Sequence, residues 1–385
     1  MKLLIPNQTG GDEFRVSLVP QGVRSLVPTH EIWVESGAGT GAGYSDDAYV
    51  SAGARVVDSE TAWSQSDLVL VVRPPELSRV KQMKRESLLV GFLRPLDDLP
   101  YVQAVAETGI TGLALELLPR ITRAQAMDAL SSQANLAGYR AVILAAERLQ
   151  KIFPMMMTAA GTLQPAKVFV IGAGVAGLQA IATARRLGAV VSAYDVRPTV
   201  KEQVQSVGGK FVELSLEVST AQEVSGYASA QSVEQQQKQA ELMARVIAES
   251  DVVISTALIP GKPAPRLIPA SAIRKMVRGS VIVDLAAEKG GNCEWTVPGQ
   301  VVQREGITII GYTNWASQVP THASMVYSNN LIKLLGLILD KQGQLKLDLS
   351  DEIISGLLVC RDGRIVHPML SKLLNLSTET GHNHE

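Results

Sequence analysis

The sequence predicts an α/β fold of two Rossmann-like domains with parallel sheets, joined by long helices, with a ligand cleft between them. Three observations predict it. Strand-like and helical runs alternate along the whole chain, the pattern of layered βαβ units rather than of separate sheets and bundles. The stretch from Lys167 to Asp195 (KVFVIGAGVAGLQAIATARRLGAVVSAYD) places strand, glycine turn, helix, strand and acid in that order. At 385 residues the chain is long enough for two or three domains.

In the first third the candidate strands are Lys2–Ile5, Ile32–Glu35, Leu68–Val72, Leu88–Phe92 and Gly112–Leu115. A helical stretch from Arg123 to Ile152 then leads into the middle of the chain. There, Val168–Ile171, Val190–Asp195, Lys210–Leu214, Asp251–Thr256, Ser280–Leu285 and Thr308–Gly311 follow the rhythm of a doubly wound sheet. A second helix, Ser328 to Leu339, returns the chain to the first domain, which is therefore discontinuous. The expected division is 1–135 plus 328–385 for the first domain and 136–327 for the nucleotide domain. Between the third and fourth strands of the latter lies Ala221 to Ala240, rich in Gln, Ser and Glu. Part of it reads as a crossover helix, and Ser225-Gly226-Tyr227 as a loop, either a lid or ordinary surface. The end of the chain, with His382 and His384, reads as a solvated tail rather than a metal site.

The balance of 36 basic and 37 acidic residues leaves no electrostatic footprint for nucleic acid. Apolar stretches are broken well short of a spanning helix, and no secretory pattern follows Met1. Cys293 and Cys360, far apart, make neither a disulfide framework nor a zinc site, and are expected to be reduced, buried thiols. These features describe a soluble, cytoplasmic type of protein.

The glycine turn has a physical reading position by position. Gly172 permits a tight turn, Gly174 lets the backbone approach a pyrophosphate, and Gly177 allows close helix-on-strand packing. The helix opening at Val175 and Ala176 turns its amides and positive dipole end toward the phosphates. Asp195 can accept hydrogen bonds from an adenosine ribose and would repel a 2′-phosphate, favouring NAD over NADP; Val196 and Arg197 follow it in the expected cofactor site. Ligands of open α/β sheets lie outside the carboxyl ends of strands. The same rule points to Thr256, Ala257 and Leu258, to Asp284–Glu288, and to Tyr312-Thr313-Asn314.

In PRITRAQAMDALSS, Arg120, Gln125, Asp128 and Ser131 form either one concave site or a structural ion-paired loop. The triple Met155-Met156-Met157 reads as core filler, and Thr158-Ala159-Ala160-Gly161 as a small-residue turn. A dehydrogenase of oxo or amino acids needs a positioned acid or base. His30 reads as a surface turn residue, and His322 and His367 sit in proline-flanked or loop contexts. Hydride transfer between two nicotinamides needs no such group, only proximity, orientation and exclusion of water.

From FRVSLVP, PRITRAQAMDALSSQANLAGYRA, MTAAG, VFVIGAGVAGLQAIATARRLGAVV, TALIPGKPAP and VIVDLAAEKGGNC, the chain resembles the NAD(H)-binding component, domain I, of proton-translocating nicotinamide nucleotide transhydrogenase, over about Lys2 to Pro368. The resemblance implies a homodimer binding NAD(H) in the cleft between its domains. It implies direct hydride transfer to NADP(H) on a partner subunit, coupled to proton movement through a membrane subunit. The chain would be cytoplasmic and peripheral to the inner membrane through those partners, as a split subunit or an excised domain. By the same resemblance, Arg120, Asp128 and Ser131 hold the nicotinamide carboxamide, Gln125 reaches toward the partner's nucleotide, and Tyr227 belongs to a mobile loop closing over NAD(H). Alanine dehydrogenase is the related alternative; Arg15 stands where that family binds a substrate carboxylate. However, its lysine is replaced around Val72-Arg73-Pro74 and its histidine is absent from Gly91-Phe92-Leu93-Arg94. A non-catalytic NAD-sensing module is the third reading.

Overall fold

The computed structural model describes residues 1–213, 233–340 and 342–381. They form two compact units, Met1–Gln133 with Ala316–Glu385, and Ala134–Trp315. The first unit begins with β1 (Lys2–Ile5), β2 (Glu31–Glu35), β3 (Arg55–Val57), β4 (Leu68–Leu70), β5 (Leu88–Gly91) and β6 (Thr111–Ala114). The second carries a hairpin, β7 (Met156–Thr158) and β8 (Gly161–Leu163). It then carries β9 (Lys167–Ile171), β10 (Val190–Tyr194), β11 (Lys210–Phe211), β12 (Val252–Ser255), β13 (Val281–Asp284), β14 (Val301–Arg304) and β15 (Ile307–Ile310). The returning chain adds β16 (Leu358–Arg361) and β17 (Arg364–Ile365) to the first sheet.

The strand orders are β17-β16-β6-β5-β4-β1-β2-β3 and β11-β10-β9-β12-β13-β15-β14. Both sheets are parallel through their centres, but the expected parallel pattern fails at one edge of each. β16 runs antiparallel to β6 and β17, and β14 antiparallel to β15. Tight turns at Gly306 and Gly363, with φ of 84° and 80°, make these hairpins.

The central strands form because their apolar runs can be buried on both faces. Every residue of β4, β5, β6, β12 and β13 is buried. Alternate side chains feed opposite layers. In the second unit, Val168 and Val170 pack with Ala141, Val142 and Ala145 of helix α1 (Ala129–Arg148) and with Ala180, Ile181 and Ala184 of α2 (Val175–Arg186). Phe169 and Ile171 face Met243 and Ile247 of α3 (Val233–Ala248). In the first unit, Leu3, Ile5, Leu68 and Leu70 pack with Tyr327, Leu331 and Leu334 of α4 (Pro320–Ile338).

Several boundaries differ from the sequence reading. The helix expected from Arg123 to Ile152 is a 3-10 turn, Thr122–Met127, then a break at Asp128, then α1, which ends at Arg148. The helix expected from Ser328 begins earlier, at Pro320, a residue suited to a first turn. Leu115 leaves β6 for a 3-10 turn. The strand expected over Lys210–Leu214 ends at Phe211.

Candidate functional site

The dinucleotide turn joins β9 to α2. Gly172 has φ +94°, a conformation that L side chains avoid, and a Cβ there would meet Thr256 Oγ1 at 2.6 Å. At Gly177 a Cβ would lie 1.9 Å from the Gly172 carbonyl oxygen, so only glycine lets α2 approach the turn. At Gly174 a Cβ would meet nothing within 4 Å. The space above that backbone is open, as a pyrophosphate requires. Gly138 of α1 also matters: a Cβ there would lie 2.1 Å from the Ala176 carbonyl, so α1 rests directly on the start of α2. The spacing of the glycine motif does not reveal that contact.

The turn is tied to the next strand by its acid. Ala173 N–H donates to Asp195 Oδ2 at 2.7 Å, and Gly172 N–H to the Tyr194 carbonyl at 2.8 Å. Arg197 donates its backbone N–H and Nε to Asp195 Oδ1, both at 2.9 Å, and its Nη2 to Oδ2 at 3.0 Å. Burial pushes the Asp195 carboxyl up, but the Arg197 side chain and the two backbone donors outweigh it and hold the carboxyl below its ordinary range. Asp195 is buried while Val196 beside it is exposed.

On the other side of β9, where the strand order reverses, lies the loop after β12. Thr256 Oγ1 donates to the Gly172 carbonyl at 3.0 Å, joining the two rims of the switch point. Asn292, fully buried, holds this loop. Its Nδ2 donates to the carbonyls of Ala257 and Pro265 at 2.9 and 2.8 Å, and its Oδ1 accepts from Ser255 Oγ at 2.6 Å and Ala257 N–H at 3.2 Å. Leu258 projects from the loop and is about half exposed. Gly172 through Gly177, Asp195 through Arg197 and Thr256 through Leu258 therefore share one sheet edge. Asn314, half-buried after β15, is separated from β12 by β13. Asp284, after β13, is turned inward: it accepts from Ala286 N–H, Cys293 N–H and Thr296 Oγ1, which makes it a structural clamp. These residues fit a dinucleotide: two glycines are sterically required and the third faces open space.

In the first unit, Asp128 and Ser131 come together. Asp128 takes the N-cap place of α1, with Oδ1 accepting from Ser131 N–H at 2.9 Å and Oδ2 from Ser131 Oγ at 2.6 Å. Arg120 and Gln125 are exposed on the same segment. Neighbours that the motif did not mark hold it in place. Arg123 forms a two-pronged pair with Asp351 at 2.6 and 2.8 Å, and Asn330 of α4 donates to the Ala126 carbonyl and accepts from Ser132 Oγ. Tyr227 lies outside the described residues.

The expectations for His30 and for the methionine run are corrected. His30 is buried, packed against Gly343, and burial lowers its pKa; it is not a surface turn residue. Met155, Met156 and Met157 are exposed at 60, 46 and 78 %, because they enter the protruding β7–β8 hairpin rather than the core. The Thr158–Gly161 turn closes that hairpin, with Thr158 Oγ1 donating to the Gly161 carbonyl. The cysteines are free and buried, with thiols pushed up to about 11 by that burial. Burial also pushes Glu116 up to about 7, while its oxygens accept the backbone N–H groups of Leu93 and Arg94 and hold that turn. Arg15 is buried and engaged: Nε and Nη2 donate to Glu13 at 2.8 and 2.7 Å, and Nη1 to Gln133 at 2.9 Å. Among the described residues no cluster could hold a metal ion, and no helix is long and apolar enough to cross a membrane.

Comparison with known proteins agrees with this geometry. Residues 4–137 match the alanine dehydrogenase/PNT N-terminal domain, and residues 141–368 the corresponding C-terminal domain. The chain is 48 % identical over 380 residues to an NAD(P) transhydrogenase subunit alpha chain of Rhodospirillum rubrum, covering 96 % of this chain and 99 % of that one. Alanine dehydrogenase of Mycolicibacterium smegmatis is 27 % identical over 381 residues, covering 97 % and 96 %. The crystal structure of transhydrogenase from Sinorhizobium meliloti superposes with a TM-score of 0.86 at 43 % identity, covering 95 % of this chain and all of that one. With both domain types matched in order along nearly its whole length, the chain belongs to the alanine dehydrogenase/PNT family.

Proposed function

We propose that this chain is the NAD(H)-binding component of an NAD(P) transhydrogenase, acting on NADP(H) held by a partner subunit. The observation that carries the proposal is the built dinucleotide turn, with open space at Gly174 and the Asp195 carboxylate docked on Ala173 N–H, in a chain 48 % identical to a transhydrogenase alpha subunit. Bound NAD(H) supplies a hydride from its nicotinamide ring. Asp195 fixes the adenosine ribose, and the N-terminal amides of α2 receive the pyrophosphate. Asp128, pre-set by its two bonds with Ser131, orients the nicotinamide carboxamide together with Arg120. Gln125 extends toward the second nucleotide, and Tyr227 helps to exclude water. Transfer of a hydride between two carbon centres asks for positioning rather than for a proton relay.

In this reading the chain is a homodimer, cytoplasmic and peripheral to a membrane subunit that couples hydride transfer to proton translocation. The amino-acid dehydrogenase reading is weaker on a specific observation. The Arg15 guanidinium that would take a substrate carboxylate is already neutralised by Glu13 in a buried two-pronged pair.

Substitution Gln125→Asn tests the catalytic assignment. The side chain shortens but keeps its amide, so NADH affinity should change less than about twofold while hydride transfer to partner-bound NADP+ slows by about tenfold or more. Stopped-flow transfer beside an NADH titration measures both; an unchanged transfer rate removes Gln125 from the site.

A further inference from the structure

We propose that Arg197 is a displaceable occupant of the ribose-binding carboxylate and that it sets the discrimination between NADH and NADPH. The inference rests on the reading of Asp195 as the ribose acid. A carboxylate offers about four acceptor positions. In this structure all four are filled: Oδ1 accepts Arg197 N–H and Nε, and Oδ2 accepts Ala173 N–H and Arg197 Nη2. The two backbone donors belong to the turn itself and do not leave without unfolding it. The two guanidinium donors belong to one side chain that is 55 % exposed, over a carboxylate side chain that is 6 % exposed. A ribose cis-diol brings two O–H donors to the same acid. The positions it needs are those the guanidinium holds.

Two consequences of opposite sign follow. NADH must displace the guanidinium from Asp195, which weakens its binding relative to an unoccupied acid. The displacement is cheap, because an exposed guanidinium regains its hydration as it leaves. A 2′-phosphate, in contrast, meets a carboxylate whose charge Arg197 compensates, and a fork of N–H donors suited to phosphate oxygens. Asp195 alone would reject NADPH strongly; Asp195 with Arg197 rejects it less.

The test is titration of the full chain with NADH and with NADPH, for wild type, Arg197→Ala and Asp195→Ala. Arg197→Ala should tighten NADH by about three- to tenfold and weaken NADPH by a similar factor. The affinity ratio between the two nucleotides then moves by about tenfold or more. Unchanged or weakened NADH binding in Arg197→Ala, or an unmoved ratio, overturns the proposal. Asp195→Ala separates the two layers. If it leaves NADH binding intact, the ribose reading itself fails and takes the proposal with it. If it abolishes NADH binding while Arg197→Ala shifts neither affinity, only the role of Arg197 falls.

Discussion

Gly174 and Gly177 stand in one turn and respond oppositely to a side chain. Gly174 has φ −75°, open to any residue, and nothing lies within 4 Å of its absent Cβ. Gly174→Val should therefore cost no more than about 1 kcal/mol, the loss of a good N-cap residue, while lowering NADH affinity about tenfold or more, because the pyrophosphate loses its approach. Gly177→Ala drives a methyl against the Gly172 carbonyl at 1.9 Å, backbone against backbone. It should cost about 1–3 kcal/mol of stability before any ligand is added. Thermal unfolding and NADH titration of both variants check the pair; equal stability losses would contradict it. The steric demand for glycine at Gly172 and Gly177 was legible in the sequence because the motif's spacing encodes backbone geometry. The occupancy of Asp195 by Arg197 was not, because it depends on how one exposed side chain folds back over two residues. The same holds for Arg15: its place in the sequence is plain, but its neutralisation by Glu13 is a fact of rotamers and burial.

At the scale of elements, the loop after β12 depends on a residue from a distant part of the unit. Asn292 satisfies two carbonyls and accepts from Ser255 and Ala257 in a fully buried setting. Asn292→Ala leaves those groups without partners and should destabilise the unit by on the order of 3 kcal/mol. It should also speed amide exchange at Ala257 and weaken NADH binding. Unaltered exchange at Ala257 would show that the loop holds its shape without the clamp. Asn330 and Asp351 serve the Arg120–Ser131 segment in the same way. None of these anchors is visible in the sequence, since each acts across 27 or more residues through hydrogen bonds that no local pattern records. Central strands were legible because burial on both faces demands an unbroken apolar run, as in VVIS and VIVD. Missed strands β3 and β17 lie at sheet edges, and their three and two residues carry too short a signal. β7 and β8 are exposed throughout, so they show no apolar alternation against a core.

For the whole molecule, the proposed function implies a division of labour. The chain carries the glycine turn from Gly172 to Gly177 with the Asp195 carboxylate docked on it, and a capped Asp128–Ser131 pair, and the transhydrogenase relative it matches along nearly its whole length is by name a subunit. On the proposed function, the second nucleotide comes on another polypeptide. The most direct test mixes the chain with NADH and a spectrally distinct NADP+ analogue, in the presence and absence of an NADP(H)-binding transhydrogenase domain. Reduction of the analogue only when both proteins are present is the expected result, and Gln125→Asn should slow it. If NADH binds and a partner of proven activity still gives no transfer, the account of this chain as a transhydrogenase component is contradicted.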